Sequence, residues 1–100
     1  MAIRVENEDQ EKTFVVVVEG RLDHHASEAF FRALERAEET ADSYVVDLSA
    51  CPYLDSAGLG MILLMRDLVD PSIGIALRGC RPEVRRILEI ARLQETFPID

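Results

Sequence analysis

The sequence predicts a single α/β domain in which a mixed sheet of four or five strands carries helices packed on it. The chain has 100 residues, enough for one hydrophobic core and too few for two. Short segments rich in valine and isoleucine alternate with segments whose apolar residues recur at helical spacing. The first two strand-like segments are separated only by a short polar turn, which favours an antiparallel pair before the alternation begins.

Two strands are predicted at the start of the chain. Residues 2–6 alternate apolar and charged side chains, which is typical of a half-exposed strand. Residues 7–12 are polar and predict a turn, and the valine-rich residues 13–19 predict a second strand that ends at Gly20.

Residues 25–40 predict an amphipathic helix, with Asp23 as a suitable N-cap shortly before it. Its apolar side chains share one stripe, and its charged side chains lie outside that stripe. The apolar residues are Ala26, Ala29, Phe30, Ala33, Leu34 and Ala37. Residues 43–48 are almost continuously apolar, which predicts a central parallel strand covered on both faces.

The second helix is predicted over residues 57–69, because Pro71 disfavours a helical residue ahead of it. Residues 73–77 predict a fourth strand, and Pro82 suits the first turn of a third helix. The proline within residues 96–99 places that extended segment at a sheet edge if it pairs at all. The predicted order is β-β-α-β-α-β-α-(β).

Charge and composition exclude several classes of function. The formal net charge of -8 argues against nucleic acid as a partner, since phosphate contacts need clustered Lys and Arg, whereas a basic or phosphorylated partner stays open. The first 20 residues resemble no secretory leader, and no apolar segment is long enough to cross a bilayer. We therefore expect a cytoplasmic protein without membrane contact.

The sequence predicts no metal and no other cofactor. Cys51 and Cys80 belong to no Cys-x-x-Cys pair, and a reducing cytosol keeps them as thiols. His24 and His25 are adjacent in the chain, and we expect their side chains to point in different directions.

Asp55 and Ser56 stand at the entrance of the second predicted helix. On residue types alone, either one serves best as an N-cap, worth about 1 kcal/mol. A serine there also suits phosphorylation, because free amides and the helix dipole tolerate the added charge. A partner packed on Met61, Leu64 or Met65 would be less tolerant, and a penalty of about 3 kcal/mol weakens binding more than a hundredfold.

Gly58 and Gly60 each cost up to about 1 kcal/mol relative to alanine in a helix, so a close approach should compensate. The segment lacks both the third glycine of a dinucleotide site and the Lys-Ser pair of a P-loop, which leaves a protein partner. Met61 suits the core or an adaptable contact surface. Ser56 is in no Gly-x-Ser-x-Gly elbow, so an enzyme is not expected.

Two motifs together resemble the STAS domain family, specifically the bacterial anti-sigma factor antagonists. Residues 46–49 (Val-Asp-Leu-Ser) and 53–60 (Tyr-Leu-Asp-Ser-Ala-Gly-Leu-Gly) resemble the family signature. Residues 20–26 (Gly-Arg-Leu-Asp-His-His-Ala) are similar to its first βα loop. The resemblance implies that residues 1–100 form a single STAS domain, and we expect the family's final C-terminal helix to be missing from it.

The resemblance implies partner switching. The unphosphorylated protein would bind an anti-sigma factor that is also a serine kinase, phosphorylation of Ser56 would release it, and a serine phosphatase would reverse the change. Ala57 stands where Ser or Thr is common, which leaves Ser56 as the one acceptor in the motif. The implied partner-binding residues are Asp23, His24, His25, Asp55, Ser56, Ala57, Gly58, Gly60 and Met61.

The alternative is a nonswitching STAS scaffold or regulatory subunit, in a stress-signalling complex or beside a lipid-transport ATPase, with Ser56 as a helix cap only. In either case we expect a monomer or a weak dimer.

Overall fold

A computed structural model describes residues 2–8, 10, 12–36 and 41–100. Their secondary structure follows the predicted β-β-α-β-α-β-α order, with two short 3₁₀ helices added. The elements are β1 (Ala2–Glu8), β2 (Thr13–Glu19), a 3₁₀ helix (His24–Ala26), α1 (Ser27–Leu34), β3 (Ser43–Ala50), α2 (Ser56–Leu68), β4 (Gly74–Arg78), α3 (Pro82–Ile90) and a 3₁₀ helix (Leu93–Glu95). The predicted first helix is therefore shorter than expected, and its last predicted residues, 37–40, lie outside the described part.

The described strands form a four-stranded sheet in the order β1-β2-β3-β4. β1 and β2 are antiparallel, as the short turn predicts, and the other two pairings are parallel. The C-terminal segment bridges the outer edge of β4 between Leu77 and Ile99. The Leu77 amide donates to Pro98 at 2.9 Å, and the Asp100 amide donates to Leu77 at 2.8 Å. The predicted edge position of residues 96–99 is confirmed.

One face of the sheet carries the hydrophobic core. Phe14, Val16 and Val18 of β2 point into it, and the three described α-helices all contribute buried side chains to the same cluster. Phe30 comes from α1, for example, and Leu88 comes from α3. Among the described residues, no helix is long and apolar enough to cross a membrane.

The prediction that the third strand is covered on both faces is wrong. In β3 the buried side chains Tyr44, Val46 and Leu48 alternate with half-buried ones such as Asp47. The strand buried on both faces is β2, in which residues 14–18 are all buried. β2 has a neighbour on each side along its whole length, so its side chains are screened by those of β1 and β3.

Charged side chains line the second face of the sheet. Arg4 of β1 forms ion pairs with Glu6 and, at 2.8 Å, with Glu19. Arg78 of β4 pairs at 3.1 Å with both Glu8 and Asp47. Because β1 and β4 are the outer strands, the Arg78–Glu8 pair reaches across the sheet. We attribute the burial of β2 on this face partly to the aliphatic portions of these long side chains.

Candidate functional site

Two loops at the carboxyl ends of β2 and β3 are joined by backbone pairing. Leu22 and Leu54 form a parallel bridge, and the Leu22 amide donates to Tyr53 at 3.0 Å. The bridge extends the sheet pairing beyond both strands. It places Asp23 and Asp55, each one residue further along, at matching positions of the two neighbouring loops.

Each of these aspartates caps the helix that follows it. Asp23 has extended backbone, and its Oδ1 accepts from the His25 amide at 3.0 Å. Asp55 does the same for α2, where its Oδ1 accepts from the Gly58 amide at 3.0 Å. Ser56 is the first residue of α2, and its side chain is exposed. The hypothesis that Ser56 is the helix cap is therefore wrong, since Asp55 occupies that position.

Gly58 and Gly60 have different surroundings. A Cβ atom on Gly58 would overlap the carbonyl oxygen of Leu22 and would lie 3.1 Å from the Cβ of Leu54. A Cβ atom on Gly60 would meet no other heavy atom within 4 Å. The expected close approach is therefore internal at Gly58, where α2 presses on the first loop. Gly60 is half-buried, and the space beside its backbone is open.

The solvent-facing side of α2 begins at Ser56 and continues through Gly60 to two leucines. Leu63 is 45% exposed and Leu64 is 51% exposed. Met61, by contrast, is 3% exposed and belongs to the core. Met61 therefore does not lie on the exposed side of α2, and its contact with a partner stays a prediction. Leu63 and Leu64 instead provide the apolar surface on this side of α2.

The sequence named Leu64 as a contact position together with Met61 and Met65, which are buried, and it missed Leu63. The reason is that α2 is apolar on all sides, so periodicity does not select its buried face. The spacing from Ser56 contains the needed signal. Positions four and eight residues later in a helix lie on the same side, and these are Gly60 and Leu64.

The imidazole rings of His24 and His25 lie together. Their centroids are 3.9 Å apart, and the ring planes are inclined by 37°. Nδ1 of His25 is 3.5 Å from Oδ1 of Asp23, and both histidines are exposed. The expectation that the two side chains point in different directions is wrong.

A second pair missed from sequence is Arg21 with Tyr53. The Arg21 guanidinium carbon lies 4.9 Å from the centre of the Tyr53 ring, and Tyr53 is 41% exposed. Each residue immediately precedes one partner of the Leu22–Leu54 bridge, so their contact follows from the loop pairing. Stacked arginine and tyrosine are residue types that often anchor protein interfaces.

The two cysteines lack the features of a nucleophile. Burial raises the pKa of both the Cys51 and the Cys80 thiol. The Cys51 Sγ also donates to the Tyr53 carbonyl at 3.3 Å. A protonated thiol is a poor nucleophile, so these residues are most simply part of the packing.

The chain is similar to known proteins over nearly its whole length. The family model described as the STAS domain matches residues 4–100. A STAS-domain containing protein of Pseudomonas aeruginosa is 44% identical over 85 residues, which are 84% of this chain and 84% of the relative. An anti-sigma F factor antagonist of Paenibacillus polymyxa is 29% identical over 102 residues, covering 99% of this chain and 87% of the relative.

The fold is also similar to solved structures of the anti-sigma factor antagonist SpoIIAA. Its unphosphorylated form has a TM-score of 0.72 and 24% identity, over 99% of this chain and 87% of the other. The phosphorylated form from Bacillus has the same TM-score of 0.72 and 24% identity, over 99% of this chain and 91% of the other.

Proposed function

Since the chain belongs to the STAS domain family, we propose that it is an anti-sigma factor antagonist that acts by partner switching. In its unphosphorylated form it binds, in the cytoplasm, an anti-sigma factor that is also a serine kinase. The kinase transfers phosphate to Ser56 and the complex dissociates, and a serine phosphatase restores the binding form. The chain itself is a substrate in this cycle and not an enzyme.

The position of Ser56 carries the proposal. Its exposed side chain is on the first residue of α2, and the Asp55 carboxylate already supplies the cap. Modification of the Ser56 hydroxyl would therefore leave the Asp55–Gly58 hydrogen bond in place. The fold should survive phosphorylation, because the start of a helix favours added negative charge.

The surface around Ser56 gives the phosphate its effect on binding. Asp55 is half-buried beside it, and the neighbouring loop carries Asp23. A phosphate would add about -1.5 to -2 charges to this acidic surface, and docking would have to remove water from all of them. A penalty of about 3 kcal/mol, corresponding to more than a hundredfold in affinity, is enough for a switch.

We define the docking surface as the exposed or half-exposed residues of the first loop and of the outer side of α2. Its negative charge fits a basic partner surface, and the leucines fit an apolar residue of that partner. Gly60 lets a partner backbone approach the helix closely, whereas Gly58 lets α2 pack on the carbonyl oxygen of Leu22. The docking surface consists of Asp23, His24, His25, Asp55, Ser56, Ala57, Gly60, Leu63 and Leu64.

The test measures binding of the chain to a cognate anti-sigma kinase, with and without ATP. Ser56→Ala should bind this kinase as the wild type does and should stay bound when ATP is added. Ser72→Ala provides a control at an exposed serine outside the docking surface, and it should be released normally. Release of Ser56→Ala by ATP to the wild-type extent would contradict the proposal, as would an absence of phosphate on Ser56 during the cycle.

A further inference from the structure

The geometry points to a binding site for a divalent transition-metal ion, of which Zn²⁺ is the representative, at Asp23, His24 and His25. Each of these residues offers one ligand atom, and the three atoms all lie within 4.8 Å of one another. Two imidazole nitrogens and one carboxylate oxygen form a donor set that suits Zn²⁺ and Ni²⁺. Ca²⁺ and Mg²⁺ favour oxygen ligands throughout and are not expected here.

The three side chains need only a small movement to close on an ion. Zn²⁺ binds nitrogen and oxygen ligands at about 2.0–2.2 Å, which in a tetrahedral site puts the ligand atoms about 3.3 Å apart. The His25 side chain is 76% exposed, so its rotamer is free to adjust. The short 3.5 Å approach of Asp23 Oδ1 to His25 Nδ1 brings two of the three ligands close to that spacing.

The backbone under these side chains is held in place. The Ala26 amide donates to the Asp23 carbonyl at 2.9 Å, and the Ala26 side chain is buried. Asp23 Oδ1 also accepts from the His25 amide at 3.0 Å, which ties the carboxylate to the turn. The 3₁₀ helix thus presents all three ligands on one side of an anchored turn.

Three protein ligands leave one tetrahedral position for water or for an atom of another molecule. A site of this kind, in which the two histidine ligands are exposed, exchanges its metal with solvent and is unlike a closed structural zinc site. Bound Zn²⁺ would add two positive charges to the acidic docking surface. We expect the bound ion to weaken docking of a basic partner, a consequence that rests on the proposed function, whereas the metal site itself does not.

Isothermal titration of the metal-stripped, untagged chain with Zn²⁺ tests the site. The wild type should bind one ion, and His24→Ala and His25→Ala should each bind at least about tenfold more weakly. Asp23→Asn keeps a cap acceptor and should also bind more weakly. Asp67→Asn, at an exposed residue of α2, is the matched control and should bind as the wild type does. Urea unfolding of each variant confirms that its fold is retained.

Two results would overturn the site. One is that a double variant of His24 and His25 binds Zn²⁺ as tightly as the wild type does. The same conclusion follows if neither protein binds Zn²⁺. The other is loss of binding in Cys80→Ser with retention in the histidine variants, since the ligand would then be the thiol. Binding of the kinase is measured in a separate experiment, with a chelator present to remove metal ions. The metal site can therefore be tested even if the proposed docking surface is wrong.

Discussion

The carbonyl oxygen of Leu22 fills the space in which a Cβ atom on Gly58 would lie. Leu22 belongs to the first loop, and Gly58 lies in the first turn of α2. This contact, with the Leu22–Leu54 bridge beside it, sets the position of the helix relative to the loop. The first loop and α2 are therefore held together by backbone contacts, one of which requires glycine at position 58.

The first prediction compares Gly58→Ala with Gly60→Ala. An added methyl at Gly58 meets backbone that has little freedom to move, and overpacking of this kind destabilises by about 1–3 kcal/mol. At Gly60 the methyl meets open space, so alanine should stabilise the helix by up to about 1 kcal/mol. The free energies of unfolding in urea should shift in opposite directions. Equal shifts would show that the close contact with Leu22 does not determine which residue is tolerated at position 58.

The second prediction concerns the cap of α2. Asp55→Ala removes the acceptor for the Gly58 amide and should lower the free energy of unfolding by about 0.5–2 kcal/mol. Asp55→Asn keeps an acceptor of nearly equal capping strength and should change stability much less. Urea unfolding measures both variants. If the asparagine variant is destabilised as much as the alanine variant, the charge and not the hydrogen bond is the source of the stability.

The third prediction is a pH dependence that arises on the second face of the sheet. Burial disfavours the charged form of Asp47, but hydrogen bonds from Ser49 and the Arg78 guanidinium outweigh it and hold the pKa of the Asp47 carboxyl below its ordinary value. A carboxyl whose pKa is depressed in the folded state adds stability above its unfolded pKa, about 3.9 for aspartate, and loses it as the pH falls through the folded value.

Asp47→Asn should therefore be less stable than the wild type at pH 7. The difference between their free energies of unfolding should shrink as the pH falls below about 4. Denaturant unfolding at a series of pH values measures it. A difference that stays constant down to acid pH would show that the Asp47 carboxylate contributes nothing through its charge.

The strand and helix order was predictable because local signals were strong and agreed with one another. Three features were each consistent with a single structure. They are the valines of β2, the short turn before that strand, and Pro82 at the start of α3. Burial on the sheet was harder to predict. β3 is as apolar as a strand covered on both faces, but the described helices pack on only one face.

The candidate site was predicted in part for a similar reason. Asp23, Asp55 and Ser56 lie at the starts of predicted helices, so the local sequence was enough to predict their positions. The buried side of α2 could not be predicted in this way, because both Met61 and Leu64 are apolar. Which of them is buried depends on how Gly58 packs on Leu22. The contact between His24 and His25 depends on side-chain torsion angles, which a residue pattern does not specify.

The final prediction uses these two apolar residues of α2 as a matched pair. Met61 is 3% exposed, so Met61→Ala should lower the free energy of unfolding by about 2–5 kcal/mol. Leu64 is 51% exposed, so Leu64→Ala should change stability by no more than about 0.5 kcal/mol. Urea unfolding should separate the two variants clearly.

Binding to the anti-sigma partner should show the opposite order. Leu64→Ala removes an apolar contact from the docking surface and should weaken binding, whereas Met61→Ala leaves that surface unchanged wherever the variant is folded. Titration calorimetry below the unfolding temperature of both variants measures the two affinities. Normal binding by Leu64→Ala together with weak binding by folded Met61→Ala would restore Met61 as the contact residue. It would also mean that α2 rotates or opens when the partner binds, because the Met61 side chain has no other route to the surface.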